Sequence, residues 1–261
     1  MRDRYVLLAF DALTTRAAST PAGAYGPPDD DWAGALRDVL AASDTARSAA
    51  PDAIRPHLTF PWHRPDRMHA DRAGEDWWRH HESTFADALA AVDVPRRQAD
   101  AVARTVRDAY LDAAAWSAVD GAADALDRLR DAGWNPVVYL NGPPEVDALL
   151  SAAGLDNRVT ASFTSALTGY ELPHARAFET VEDALGGGRV WFAGRDPDHA
   201  AGALNIGVPG VVVAPGDRDV APSDRDVAPS DRDVAPSDHD VPPGARSVAS
   251  LSGLADLLEG R

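Results

Sequence analysis

The chain has 261 residues, enough for one large α/β domain or a core with an insert, and its 25 basic residues face 41 acidic ones for a net charge of −16. Every cation is arginine and 34 of the acids are Asp, so the acidity reads as a solvent adaptation to molar salt, and it excludes the cationic face that nucleic acid requires. Cysteine is absent, which excludes disulfides, thiolate nucleophiles and Cys-type zinc sites, and no run approaches the length of a membrane span.

The first apolar run, residues 5–10, ends at Asp11. A strand buried on both faces that delivers a carboxylate at its C-terminal tip is an α/β active-site device; the carboxylate can serve as covalent nucleophile, metal ligand or phosphoacceptor, or simply cap a helix. Because residues 1–15 read as a core strand and not as a signal peptide, a cytoplasmic protein is expected. Residues 17–115 carry almost no strand signal. Helical periodicity over 76–92 aligns Trp78, Phe85, Leu89 and Val92, with Trp77 and His81 beside them. A second helix is expected over 101–116, through Val102, Val106, Tyr110 and Trp116. These aromatics read as the core of a helical insert, and His57, His63 and His69 lack metal-ligand spacing.

Beyond the insert, helical patterns at 122–132, 145–153, 175–185 and 197–206 alternate with strand-like runs at 136–140, 159–163, 190–193 and 210–213. Such alternation with short connections predicts an α/β fold, a doubly wound Rossmann-like parallel sheet with an α-helical cap insertion. Asp-Arg-Asp-Val-Ala-Pro-Ser then occurs three times, at 217–223, 224–230 and 231–237, followed by a degenerate copy to 244. A proline every seven residues forbids a continuous helix, so 217–244 is expected to be a mobile surface loop. A short amphipathic helix at 251–258 closes the chain. The domain expectation is a core of 1–16 and 117–261 with a helical cap of 17–116.

This order of motifs resembles the haloacid dehalogenase superfamily, in the branch with a helical cap inserted after the first strand. Phe10-Asp11-Ala12-Leu13-Thr14-Thr15 is similar to the family's first motif, with Asp11 at the nucleophile position and Thr15 at its usual Thr. Leu140-Asn141-Gly142 is similar to the second, normally Ser/Thr-Asn-Gly. The stretch 169–178 around Leu172-Pro173 resembles the third, where the family has Lys before Pro. Gly194-Arg195-Asp196-Pro197-Asp198-His199 resembles the fourth, normally Gly-Asp with a later acid. The resemblance implies an ester intermediate on Asp11, with Thr15 and Asn141 orienting a small-molecule substrate, either an organic phosphate or a 2-haloacid. It also implies Mg2+ on a set drawn from Asp11, Asp196 and Asp198.

The departures bear on chemistry. Leu13 stands where the phosphatases place a general acid, and a leucine cannot transfer a proton; halide leaves without one, so Leu13 is compatible with dehalogenation. The family Lys is replaced by Leu172, with Arg176 one turn on and Arg195 in the fourth motif as candidate charge clamps. Two expectations follow: a hydrolase of this family, or a catalytically degenerate scaffold acting as a binding module. Oligomeric state is not legible.

Overall fold

The computed structural model describes residues 3–16, 29–43, 48–58, 76–213 and 241–260. Its strands are β1 (Arg4–Ala9), β2 (Thr14–Arg16), β3 (Trp116–Ala118), β4 (Asn135–Leu140), β5 (Ala161–Thr164), β6 (Arg189–Gly194), β7 (Gly210–Val213) and β8 (Arg246–Val248). The helices are α1 (Phe10–Leu13), α2 (Asp29–Ala42), α3 (Pro51–Ile54), α4 (Trp77–Ala91), α5 (Arg96–Ala103), α6 (Val106–Tyr110) and α7 (Ala122–Asp131). They continue with α8 (Val146–Ala152), α9 (Ser165–Thr168), α10 (Ala175–Ala184), α11 (Pro197–Asn205) and α12 (Leu251–Glu259).

Six strands form one sheet in the order β5-β4-β1-β6-β7-β8, with every neighbouring pair parallel. Alternation sorts the strand residues onto two buried faces. Val6, Leu8, Val138, Leu140, Trp191, Ala193, Val211 and Val213 join one apolar cluster, which also takes in α7, α8 and α12. Tyr5, Leu7, Ala9, Val137, Tyr139, Val190, Phe192 and Val212 join the other, beneath α10 and α11. The chain moves from β1 outward to β4 and β5, then returns to the far side of β1 as β6. The connection direction therefore reverses between β1 and β6, the point at which open α/β sheets bind ligands at the C-terminal ends of their strands.

Helices α2–α6 all lie in the chain between β2 and β3, which pair antiparallel with Thr15 opposite Ser117 and Arg16 opposite Trp116. Departure and return are thus one two-stranded ribbon. The aromatics beyond it extend the apolar cluster that lies on the α7, α8 and α12 face of the sheet. Trp32 stacks on Tyr110 at 3.9 Å between centroids and lies within 5.7 Å of Trp77, Trp78 and Phe85, while Trp116 carries the contact on to Phe10 at 5.4 Å.

Three expectations change. The helix read over 101–116 is broken: the Thr105 hydroxyl donates to the Val102 carbonyl at 2.8 Å, ending α5, and Trp116 is drawn into β3. Val102, Val106 and Tyr110 remain buried, which is why the periodicity looked continuous. Strand β5 falls at Ala161–Thr164, later than the run 159–163, and the short strands β2, β3 and β8 carried no readable alternation. The repeats at 217–237 lie outside the described residues, as do His63 and His69; β8 follows them and pairs with β7.

Candidate active site

Register brings three motifs to one edge. Ala9 on β1 pairs with Tyr139 on β4, and Leu8 pairs with Ala193 on β6, so Asp11 stands beyond β1 between Asn141 and the 194–196 segment. β1 and β6 approach so closely there that a Cβ on Gly194 would lie 3.0 Å from the Ala9 Cβ. Asp11 is half-buried in the α1 turn, which the Thr14 hydroxyl closes by donating to the Phe10 carbonyl at 3.0 Å. Thr15 follows on β2, half-buried. Leu13 is wholly buried in the apolar cluster, so the position two residues past Asp11 presents no proton donor.

Asn141 does not stand free. Its Nδ2 donates to the Leu172 carbonyl and its Oδ1 accepts from the Leu172 N–H, both at 2.9 Å, so it clamps the third-motif loop to the second. From the other side α11 presses on the same loop, where a Cβ on Gly202 would meet the Pro173 carbonyl at 2.5 Å. Leu172 itself points into the apolar layer under α10 and α11, so that position offers hydrophobic packing and no charge. A buried relay reinforces the junction: Gly142 N–H donates to Ser165 Oγ at 3.0 Å, and Ser165 Oγ donates to Glu171 Oε1 at 3.3 Å. Nearby, the Tyr139 hydroxyl donates to the Tyr170 carbonyl at 2.7 Å. Burial pushes its pKa well above the ordinary tyrosine value, against the opposing pull of Thr168, so Tyr139 stays protonated.

At the fourth motif, Asp196 caps α11, its Oδ1 accepting from the Asp198 N–H at 2.8 Å. Its Oδ2 lies 3.6 Å from Nε2 of His199, a buried histidine whose Nδ1 has no hydrogen-bond partner among the described residues. Arg195 is half-buried at the strand tip. Asp198 is exposed, and Arg176 is turned to solvent, paired with Glu179 at 3.1 Å. Asp11, Asn141, Arg195 and Asp196 therefore follow the C-terminal ends of three neighbouring strands, while Arg176 lies on the exposed side of α10. For magnesium the fit is poor: both Asp196 oxygens already face partners, Arg195 adjoins, and among the described residues no three acids or histidines are grouped to hold an ion.

Sequence reading passed over Arg16, whose buried guanidinium donates to the Ala109 carbonyl at 2.9 Å and pairs with Asp38 at 2.9 Å. It also passed over Glu145, which accepts from Trp78 Nε1 at 3.1 Å and from Arg107 at 2.7 Å. Arg16 gave no signal, since the three residues of β2 are too few for alternation to be read. Glu145 gave none, because its partners are remote in the chain.

A family model for haloacid dehalogenase-like hydrolases matches residues 15–207. The chain belongs to that family. The match begins four residues after Asp11 and does not include it. The haloacid dehalogenase-like chain is similar in structure to L-2-haloacid dehalogenase from Xanthobacter autotrophicus, with 17% identity, 99% of each chain covered and a TM-score of 0.63. It is also similar to a HAD-hydrolase, YfnB from Bacillus subtilis, bound to magnesium (14% identity, 99% of each chain, TM-score 0.65). A third likeness is to a beta-phosphoglucomutase homologue from Thermotoga maritima (10% identity, 98% of this chain and 99% of that one, TM-score 0.64). At such identities the likenesses speak for the fold alone. No curated protein sequence matches this chain. No helix among the described residues is long and apolar enough to cross a membrane.

Proposed function

We propose that this hydrolase cleaves a carbon–halogen bond in a short 2-haloacid through an ester on Asp11, with residues 17–116 as a cap over the strand tips. The observation that carries this choice is Leu13, wholly buried where a phosphomonoester route needs a proton donor for its departing alkoxide. In the first step an Asp11 oxygen attacks C2, the carbon–halogen bond breaks, and halide leaves with the electron pair and no proton. In the second, water adds to the Asp11 carbonyl carbon, releasing the 2-hydroxy acid and restoring the carboxylate. Asp196 and His199 form the acid–imidazole pair at this edge able to take the water's proton, and Arg195 supplies the charge that holds the substrate carboxylate. Asn141 positions the loop through both ends of its amide, and each end keeps a second donor or acceptor site with which to orient substrate.

The test is halide release from 2-chloropropionate in molar KCl replaced by potassium acetate, so that chloride is countable, with an aryl phosphate in parallel. Turnover of the haloacid alone is expected, abolished by Asp11→Asn. His199→Gln should retain a single-turnover burst of halide while losing steady turnover. Phosphate release without halide release would transfer the assignment to the small-phosphate branch, and inactivity on both would favour the binding-module alternative.

A further inference from the structure

A cavity of about 270 Å³ lies among α4, α5 and α6, lined by Trp78, Arg79, Glu82, Phe85, Arg104 and Arg107. Three guanidinia and one carboxylate line it, and the carboxylates of Asp76 and Glu145 lie against two of the guanidinia. Their donors are unevenly used. Arg79 pairs with Asp76 at 2.5 Å and Arg107 with Glu145 at 2.7 Å, while Arg104 has no ion pair or hydrogen bond among the described residues. Each guanidinium carries five N–H donors in a planar fork, so one carboxylate leaves donors over on every one of them. Phe85 and Trp78 supply an apolar wall. None of Asp11, Asn141 or the 194–196 segment lines the cavity.

We propose that this cavity binds a small organic anion, its oxyanion held by Arg79, Arg104 and Arg107 and its apolar part laid against Trp78 and Phe85. The site would communicate with the strand tips through two of its own walls. Trp78 Nε1 and Arg107 both donate to Glu145, which stands at the N-terminus of α8, four residues past Asn141. A bound anion competes with Glu145 for Arg107, so occupancy loosens the hold of α4 and α6 on that part of the sheet domain. By reciprocity, weakening Glu145 strengthens the site. The volume is near the lower end for small-molecule pockets, about 300 Å³, which favours a ligand the size of a single aromatic or short aliphatic acid or phosphate ester.

Calorimetric titration of the full chain at fixed ionic strength, with benzoate, phenyl phosphate and inorganic phosphate as separate probes, tests the proposal and separates carboxylate from phosphate ligands. Saturable one-to-one binding is expected for at least one aromatic anion, tighter than for inorganic phosphate, which lacks the apolar part. Arg104→Ala, at an exposed position that should leave the melting temperature unchanged, should weaken it about tenfold, as loss of a charge-assisted hydrogen bond at a solvated edge implies. Glu145→Gln should tighten binding by freeing Arg107, and Asp11→Asn should leave it unaltered. The proposal is overturned if no probe binds saturably, if Arg104→Ala superimposes on the wild type, or if Asp11→Asn abolishes binding and so places the ligand at the strand tips.

Discussion

Individual side chains in this protein do work that their motif positions do not announce. Asn141, at a substrate-orienting position, also clamps the third-motif loop; Leu172 stands in the place of a lysine and packs as core; His199, at the position of an acid, faces a carboxylate. Asp11 was legible because a strand buried on both faces has one exit, and the first polar residue past that exit had to be it. Arg16 and Glu145 were not, because the groups that give them meaning, Asp38 and Ala109 for one, Trp78 and Arg107 for the other, come from helices whose docking no local pattern encodes. One titration follows at this scale. Burial, with the neighbouring charges of Asp183 and Glu179, raises the Glu182 pKa, so folding favours its protonated form. The contribution of Glu182 to stability should therefore be greatest below the ordinary glutamate range and fall as pH climbs from there through the raised value, then level off. Glu182→Gln should melt higher than the wild type at neutral pH and together with it in acid. Molar KCl should shrink the part of the gap that comes from Asp183 and Glu179. Melts in a pH series at two salt concentrations check both; a gap that widens in acid would reverse the sign.

Among elements, those with long apolar runs were readable and those made by pairing were not. β1, β4, β6 and β7 announce themselves, since both faces are buried and nearly every residue is apolar. β2, β3 and β8 are three residues each and exist because a partner strand lies alongside, which is a fact of the fold and not of the segment. Helix α11 gives a prediction. Its Gly202 meets the backbone of Pro173, so Gly202→Ala must push the helix off the loop that Asn141 holds. Overpacking of this kind costs about 1–3 kcal/mol, and the displacement should lower turnover as well as stability, whereas Gly260→Ala, in open space, should change neither. Denaturant unfolding and steady-state kinetics on the two variants make the comparison. The three heptad repeats give another. Deleting 217–237 shortens the connection between β7 and β8, and loop-closure entropy changes by only about 0.6 kcal/mol per doubling of length. The deletion should leave the unfolding midpoint nearly in place; a loss of several kcal/mol would mean that the repeats bind the sheet or an ion.

For the molecule as a whole, the acidic surface sets the working conditions. Arginine is the sole cation, and it is spent on surface pairs such as Arg96 with Asp87 and Asp100, and Arg128 with Asp256 and Glu259. These pairs leave a net −16 to repel itself in dilute buffer. Melting temperature should rise steeply as KCl goes from millimolar to molar, where the screening length falls to about 3 Å, and a melt indifferent to salt would reject adaptation to brine. The β2–β3 ribbon has a separate implication. Since Arg16 and Trp116 face each other across an antiparallel pair, the chain leaves and rejoins the sheet domain at points roughly 5 Å apart. Topologically, residues 17–115 are a parenthesis: whatever is written between those two positions, the sentence around it still parses. A tight hairpin, or a helical bundle borrowed from a relative, could be spliced in there without asking any strand of the sheet to move, provided it offers an apolar surface to Phe10 and Trp116. Lineages that exchange substrates by exchanging inserts need only such a doorway, and here its two jambs are already hydrogen-bonded to each other.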